Sequence, residues 1–175
     1  VYNGVEFDPI EKGVKSITSK DKIVLFFGRI TMQKGPEYFV QAAKRVLDVM
    51  EDVKFVVAGS GDLASMMIEM AAEMGIGHKV LFTGFLRGGD IKRVFALADL
   101  YVMPSVSEPF GIAPLEAMSN DVPALISKSS GVSEVLTHAL KVDFWDVEEM
   151  ANKIVAVLKH PPLRKALRDN GQFEI

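Results

Sequence analysis

"KIVLFFGRITMQKGPEYFVQAAKRVLDVM" spans residues 22–50, and its periodicity changes partway through. Residues 22–28 form an unbroken run of β-branched, aliphatic and aromatic residues closed by glycine, the pattern of a strand buried on both faces. From Gly35 and Pro36 onward the apolar residues Phe39, Ala43, Val46, Leu47 and Met50 recur at helical spacing. Proline suits the first turn of that helix, where its missing N–H would have no partner anyway.

The same alternation continues to the end of the chain. Residues 53–59 read as a second strand, and Asp62 is placed to cap a helix that reaches Met74 and ends at Gly75. A strand at 79–84, a helix near 89–98 and a strand at 100–104 follow. Then come a helix over 112–119, a strand at 123–127, a short helix at 132–136, a strand at 139–142 and a helix over 147–159. "PLRKALRDNG" (162–171) adds a last helical piece after a Pro-Pro break. Asp146 is placed to cap the helix it precedes, with Phe144 and Trp145 expected to cover the core. This spacing predicts an α/β fold: a doubly wound parallel sheet with helices on both faces. Residues 22–175 read as one such domain, and residues 1–21 as an incoming connection from another.

Composition narrows the chemistry. The chain has 175 residues, 49% apolar and 25% charged, and a formal net charge of -3. That charge and a pI near 5.7 give no basic footprint for nucleic acid or an anionic membrane. No run of 18 apolar residues suggests a membrane span, and the first ten residues lack a secretory pattern. The absence of cysteine excludes disulfides, thiolate metal sites and cysteine nucleophiles, and it fits a reducing, cytoplasmic setting. Three histidines lie far apart and no D-x-D triplet occurs, so no metal site is expected.

In a parallel sheet with right-handed crossovers, every strand delivers its C-terminal end to the same edge, where ligands bind. Four loops on that edge have unusual content: "GRITMQKG" (28–35), "GSGD" (59–62), "TGFLRGGD" (83–90) and "PSVSEPFGI" (104–112). In the first, Arg29 follows the strand and Lys34 precedes the helix, so two cations meet a helix N-terminus. That combination suits a diphosphate, although either cation alone reads more simply as surface charge on a solvated turn. Gly59-x-Gly61 fits a tight turn or a close approach to a ligand, but it lacks the spacing of the dinucleotide fingerprint. The backbone of Phe85 and Leu86 either borders a base or forms a plain glycine-rich turn.

"SVSEPFGIAPLEAM" (105–118) carries two glutamates eight positions apart. Pro109 and Gly111 keep Glu108 out of any regular helix, so it belongs to the strand-end loop. Pro114 is tolerated only in a first turn, so the helix begins near Ile112 and Glu116 falls in its second turn. Between the acids, the backbone N–H groups of Phe110, Gly111 and Ile112 offer a further anion site. Glu116 stands among Leu115, Ala117 and Met118, company that points away from a purely solvated role.

These residues resemble the nucleotide-sugar-binding domain of retaining GT-B glycosyltransferases, the group of glycogen and sucrose synthases and many mannosyl- and glucosyltransferases. The resemblance runs through "NGVEFDP", "FFGRITMQKG", "VVAGSGD", "FTGF", "ADLYVMPSVSEPFGIAPLEAM" and "PALISKSSGVSEVL", in the expected order over nearly the whole chain. Its most specific part is the E-x7-E element with Pro-Phe-Gly inside it. The resemblance implies a Rossmann-like domain that takes a UDP, ADP or GDP sugar as donor and needs no cofactor or metal. It implies that Arg29 and Lys34 bind the donor diphosphate and that Glu108 holds the transferred sugar, these three forming the catalytic set. It assigns Glu116 to the ribose, Phe85 and Leu86 to the base, and the Phe110–Ile112 backbone to sugar and phosphate. Gly28, Gly59, Gly61 and Leu115 complete the implied donor site.

The sequence departs from the family's pattern in places. Asp121 stands at a usual glycine, and Asp tolerates the left-handed or turn conformation required there. Ser130 replaces one glycine of a common pair, Glu134 occupies the family's acid position, and "VLTHALKVDFWD" is shorter than the usual glycine-rich segment. These changes bear on donor-sugar preference. The resemblance also implies an acceptor-binding N-terminal domain outside this chain, with a carbohydrate or other hydroxyl as acceptor and peripheral membrane contact through that domain. This chain alone is then expected to bind nucleotide sugar and transfer little. Two other readings are a nucleotide-sugar epimerase domain, against which the E-P-F-G-x-x-x-L-E spacing argues, and a stand-alone nucleotide-binding module.

Overall fold

A computed structural model of the chain describes residues 21–108, 113–134, 136 and 139–172. The incoming segment (1–20) and the Phe110–Ile112 backbone therefore lie outside the described residues. Six strands, β1 (Lys22–Phe27), β2 (Val53–Ala58), β3 (Val80–Gly84), β4 (Leu100–Met103), β5 (Ala124–Ser127) and β6 (Leu140–Val142), form one sheet in the order β3-β2-β1-β4-β5-β6. Every pairing is parallel. The longest register joins β1 to β2, from Lys22 opposite Val53 to Phe27 opposite Ala58. The helices are α1 (Pro36–Leu47), α2 (Ala64–Glu73), α3 (Gly89–Leu97), α4 (Ala113–Ser119), α5 (Val147–Lys159) and α6 (Pro161–Gln172).

The two-residue period of the strands divides the core in two. Val24, Phe26, Phe55, Val57, Leu100 and Val102 face α1, α2 and α5, where Phe39, Met67 and Ile154 meet them. Ile23, Leu25, Val56, Tyr101 and Met103 face the other side, toward Val94 and Phe95 of α3 and Ala117 and Met118 of α4. A strand apolar on both faces is thereby buried on both, which is the doubly wound arrangement.

Several local expectations meet the structure differently. Asp62 does not cap α2: the N-cap residue is Leu63 and no side chain caps the helix. The Leu63 N–H instead donates to Ile30 O at 3.1 Å, tying the helix start to the β1 loop. The short helix expected at 132–136 is a 3-10 turn, Gly131–Glu134. The last helix begins at Pro161 itself, since prolines are tolerated in a first turn. Trp145 is 61% exposed and stands edge-on to Phe144, whose ring is the one that reaches inward, to Tyr38 at 5.4 Å. Asp146 does cap α5, accepting the Glu149 N–H at 3.0 Å. Asp121 takes φ 63, the left-handed conformation expected of the residue at that glycine position.

Gly59 has φ +137, and a Cβ built there would lie 2.0 Å from Gly28 O. The β1 and β2 loops are thus packed backbone to backbone. Gly59→Ala is expected to destabilise the fold by on the order of 3 kcal/mol, read from the urea midpoint. Tyr101 gives a second test. Burial pushes its phenol pKa well above the ordinary 10.0, and the negative charge of Glu108 adds to the effect. The folded state keeps a proton that the unfolded state releases above pH 10. This stabilisation is complete below that pH and falls as the pH rises past it, by about 1.4 kcal/mol per pH unit. Tyr101→Phe should flatten the alkaline loss of stability, compared by urea midpoints from about pH 9 to 11; parallel slopes in the two proteins would contradict this.

Candidate functional site

The reversal of strand order falls between β1 and β4, and the loops leaving those two strands build the site. In the β1 loop, the Gly28 N–H donates to Ala58 O at 3.0 Å and the Ile30 N–H to Ser60 O at 2.9 Å. Ile30 is buried at 1% exposure, so the loop is pegged to the sheet on both sides of Arg29, which is exposed. A 3-10 turn, Met32–Lys34, then leads to Gly35 in the left-handed region at φ 66. A Cβ on Gly35 would stand 2.0 Å from Pro104 O, so the glycine lets the β1 loop touch the β4 loop directly.

The β4 loop is bound to this turn. The N–H groups of Val106 and Ser107 both donate to Gln33 O, at 2.8 and 3.3 Å. Glu108 follows, and its Oε1 accepts from the Lys34 ammonium. The pair is partly buried, with side-chain exposures of 30% for Lys34 and 13% for Glu108. Beneath it a cavity of about 280 Å³ is lined by Gly28, Arg29, Lys34, Tyr101, Ser105 and Glu108. Ser105 is buried, and its hydroxyl has no hydrogen-bond partner among the described residues.

A second hollow of about 280 Å³ opens on the other side of Gly28 and Arg29, lined by Phe27, Gly59, Ser60, Phe85 and Leu86. It is mostly apolar. Phe85 is 54% exposed with the Arg87 guanidinium 5.5 Å above its ring, while Leu86 is buried. Phe27, Gly28 and Arg29 line both spaces. The edge therefore offers an apolar hollow, an exposed cation, and a polar cavity with a carboxylate and an ammonium. A flat apolar ring, an anionic linker and a polyol would each find matching chemistry in that order.

The structure thus brings Gly28, Arg29, Lys34, Gly59, Phe85, Leu86 and Glu108 to one edge. Other expectations need correction. At Gly61 a Cβ would lie 2.4 Å from Ile30 O, so the tight turn of the two expectations is the one the packing accounts for. Gly59, beside the apolar hollow, is likewise committed to contact with Gly28. Lys34 and Glu108, expected to act on different parts of a ligand, are paired with each other. Glu116 is exposed and does not line the polar cavity, because α4 buries Pro114, Ala117 and Met118 on the opposite side. Leu115 is half-buried against the α3/α4 face of the core.

Tyr101, Ser105 and the Gln33 carbonyl belong to the site without having been singled out. The period-2 pattern of "LYVMP" could have marked Tyr101 as a phenol among apolar neighbours, whereas nothing in the sequence marks a main-chain acceptor such as Gln33 O. No three His, Asp or Glu residues gather to hold a metal among the described residues. Nor is any described helix long and apolar enough to cross a membrane.

Comparison with known proteins places the chain in a family. The chain is 38% identical over 149 residues to a glycosyltransferase of Methanocaldococcus jannaschii, covering 79% of this chain and 38% of the relative. It is 32% identical over 152 residues to the alpha-D-kanosaminyltransferase of Streptomyces kanamyceticus, covering 85% and 39%. The chain thus spans about two fifths of the length of these curated relatives. Among solved structures it superposes on the C-terminal domain of a glycosyl transferase group 1 family protein from Francisella tularensis. That TM-score is 0.82 at 24% identity, covering 93% of this chain and 87% of the other. It superposes on Anabaena HepE, solved in complex with UDP-glucose, with a TM-score of 0.83 at 21% identity, covering 97% and 47%. At these identities the structures establish a shared fold, that of the GT-B glycosyltransferases. The family profile described as "Glycosyl transferases group 1" matches residues 8–173, nearly the whole sequence, and the chain belongs to that family.

Proposed function

We propose that this chain is the donor-binding domain of a retaining, metal-independent glycosyltransferase that moves a hexose from a nucleoside-diphosphate sugar to a hydroxyl acceptor. The observation that carries this reading is the position of Arg29 between the apolar hollow at Phe85–Leu86 and the polar cavity at Lys34–Glu108. A nucleotide sugar has the same order of parts: a flat base, a diphosphate and a sugar. In this reading the base lies against Phe85 and Leu86, Arg29 and Lys34 hold the diphosphate, and Glu108 accepts hydrogen bonds from the sugar hydroxyls.

The chemistry asked of these residues is electrostatic. When the bond between the anomeric carbon and the phosphate oxygen breaks, negative charge builds on the diphosphate and positive character on the sugar. Once the donor is bound, Arg29 and Lys34 stabilise the leaving group as its charge develops. Binding requires Lys34 and Glu108 to exchange their mutual contact for the phosphates and the sugar. Glu116, exposed on α4, serves the ribose in this reading. The acceptor binds to a part of the protein beyond this chain, in keeping with relatives of which the chain covers about two fifths. HepE, crystallised with UDP-glucose, makes UDP the first nucleotide to try.

Calorimetric titration with UDP, ADP and GDP tests the site. One of the three should bind, and Arg29→Ala should weaken it about tenfold or more through the lost charge-assisted contacts. Undetectable heat from all three at millimolar concentration would sink the reading. Glu108→Gln should lower affinity for the nucleotide sugar about tenfold relative to the bare nucleotide. Equal losses for both ligands would remove Glu108 from the sugar.

A further inference from the structure

The turn after β5 holds four serines within the seven residues 127–133. Ser127, Ser130 and Ser133 are buried, and their hydroxyls are bonded within the turn. Ser130 Oγ donates to Ser127 O at 2.8 Å, and Ser133 Oγ lies 2.8 Å from Ser130 O and 3.0 Å from Lys128 O. These bonds shape the turn itself. Two others reach the β4 loop. Ser129 Oγ donates to Ser105 O at 2.9 Å, and the Gly131 N–H donates to Glu108 O at 2.8 Å. Glu108 and Ser130 also form an isolated parallel bridge.

Both acceptors are main-chain carbonyls of the β4 loop, one at its start and one on Glu108 itself. A hydroxyl has a single proton, and that of Ser129 goes to Ser105 O. Ser127 Oγ, 2.6 Å away, therefore donates to Ser129 Oγ and in turn accepts the Ser129 N–H at 3.1 Å. The relay fixes the orientation of the Ser129 hydroxyl. From the opposite side Gln33 O takes the N–H groups of Val106 and Ser107. The segment carrying Glu108 is thus held by hydrogen bonds from both neighbouring loops. The Ser129 side chain supplies one of the bonds on the β5 side.

We propose that Ser129 is a positioning residue for Glu108: through Ser105 O it keeps the β4 loop where the Glu108 carboxylate overhangs the cavity. It thereby governs recognition of the sugar half of the donor and leaves the nucleotide half alone. The proposal rests on the reading of Glu108 as the sugar contact.

The test titrates UDP and UDP-glucose into the wild-type chain, Ser129→Ala, Ser129→Thr and Glu108→Gln. Ser129→Ala should weaken UDP-glucose about fivefold while UDP stays within about twofold, and Ser129→Thr, which keeps the hydroxyl, should recover the loss. Exchange of the Gly131 amide hydrogen should accelerate in Ser129→Ala, with the β1 and β2 amides unchanged. Equal weakening of both ligands, unchanged UDP-glucose binding, or a melting point well below wild type without ligand would each overturn the proposal, the last assigning Ser129 to stability. If Glu108→Gln discriminates the two ligands and Ser129→Ala does not, the brace alone has failed. If the wild type answers to ADP or GDP instead of UDP, the same panel is read with that nucleotide and its glucose conjugate. If it binds none of the three, or Glu108→Gln does not discriminate bare from sugar-bearing nucleotide, the reading of the site fails and the brace falls with it.

Discussion

Between β1 and β4 the sheet stops growing in one direction and resumes in the other, and everything at the site depends on that reversal. β1 hands its chain to α1, which covers one face of the sheet through Phe39, Val40 and Val46. β4, lying directly beside β1, hands its chain to α4, which covers the opposite face through Ala117 and Met118. The two connections diverge because right-handed crossovers to strands on opposite sides must use opposite faces. Their loops are left bordering a crevice that neither helix fills. A cavity lined by both loops follows from topology before any particular side chain is chosen.

Diverging loops could spread apart, and the backbone prevents it. Gly35 brings the β1 loop against Pro104 O, and Gln33 O takes two N–H groups from the β4 loop. The Lys34–Glu108 pair closes the contact with charge. Burying either group alone would carry an uncompensated desolvation cost, so each supports the other where it stands. Arg29 is then the cation in excess, exposed and with no ion pair among the described residues. A cavity whose own charges nearly cancel, with one guanidinium left over, favours an anion without being filled by its own side chains. A ligand that reaches Lys34 and Glu108 must replace their mutual attraction. Binding there is consequently a difference between two sets of contacts, which favours discrimination between ligands over raw affinity.

What the sequence made legible follows from short-range physics. Runs such as 22–28 and 53–59, apolar at both odd and even positions, admit only strands covered on both faces, and the helices between them then fix a parallel sheet. Pro109, Gly111 and Pro114 likewise separate Glu108 from Glu116 without knowledge of the fold. The side Glu116 faces was also readable: Pro114, Ala117 and Met118 form the buried stripe at helical spacing, and position 116 lies off it. Apolar neighbours in sequence are not neighbours in space on a two-turn helix. Other features needed the tertiary structure. Lys34 and Glu108 meet across 74 positions. Gly59 and Gly61 read the same whether they make room for a ligand or for the β1 loop, and only the packing of Gly28 and Ile30 decides. Asp62 is a good cap by type, yet the Leu63 N–H bond to Ile30 O sets the helix start instead.

The serines of the β5 turn show how a partly buried polar turn satisfies its hydroxyls. A hydroxyl removed from water is tolerated when it is bonded, and Ser127, Ser130 and Ser133 all are. Their bonds run to main-chain carbonyls or to another hydroxyl, so the turn keeps its shape without large side chains. Glycines at such positions would allow equally close packing but contribute no side-chain cross-links, and the turn would be freer to move. Ser130 instead bonds the turn to itself through Ser127 O, which fixes its shape. That shape reaches the β4 loop through two bonds onto its main-chain carbonyls, one from the Gly131 N–H to Glu108 O and one from the Ser129 hydroxyl to Ser105 O. The Glu108 carboxylate is therefore carried on a loop whose carbonyls are held from both sides, by main-chain N–H groups and by one serine hydroxyl. Variation in the side chains around the cavity can alter which ligand is held while leaving this frame intact.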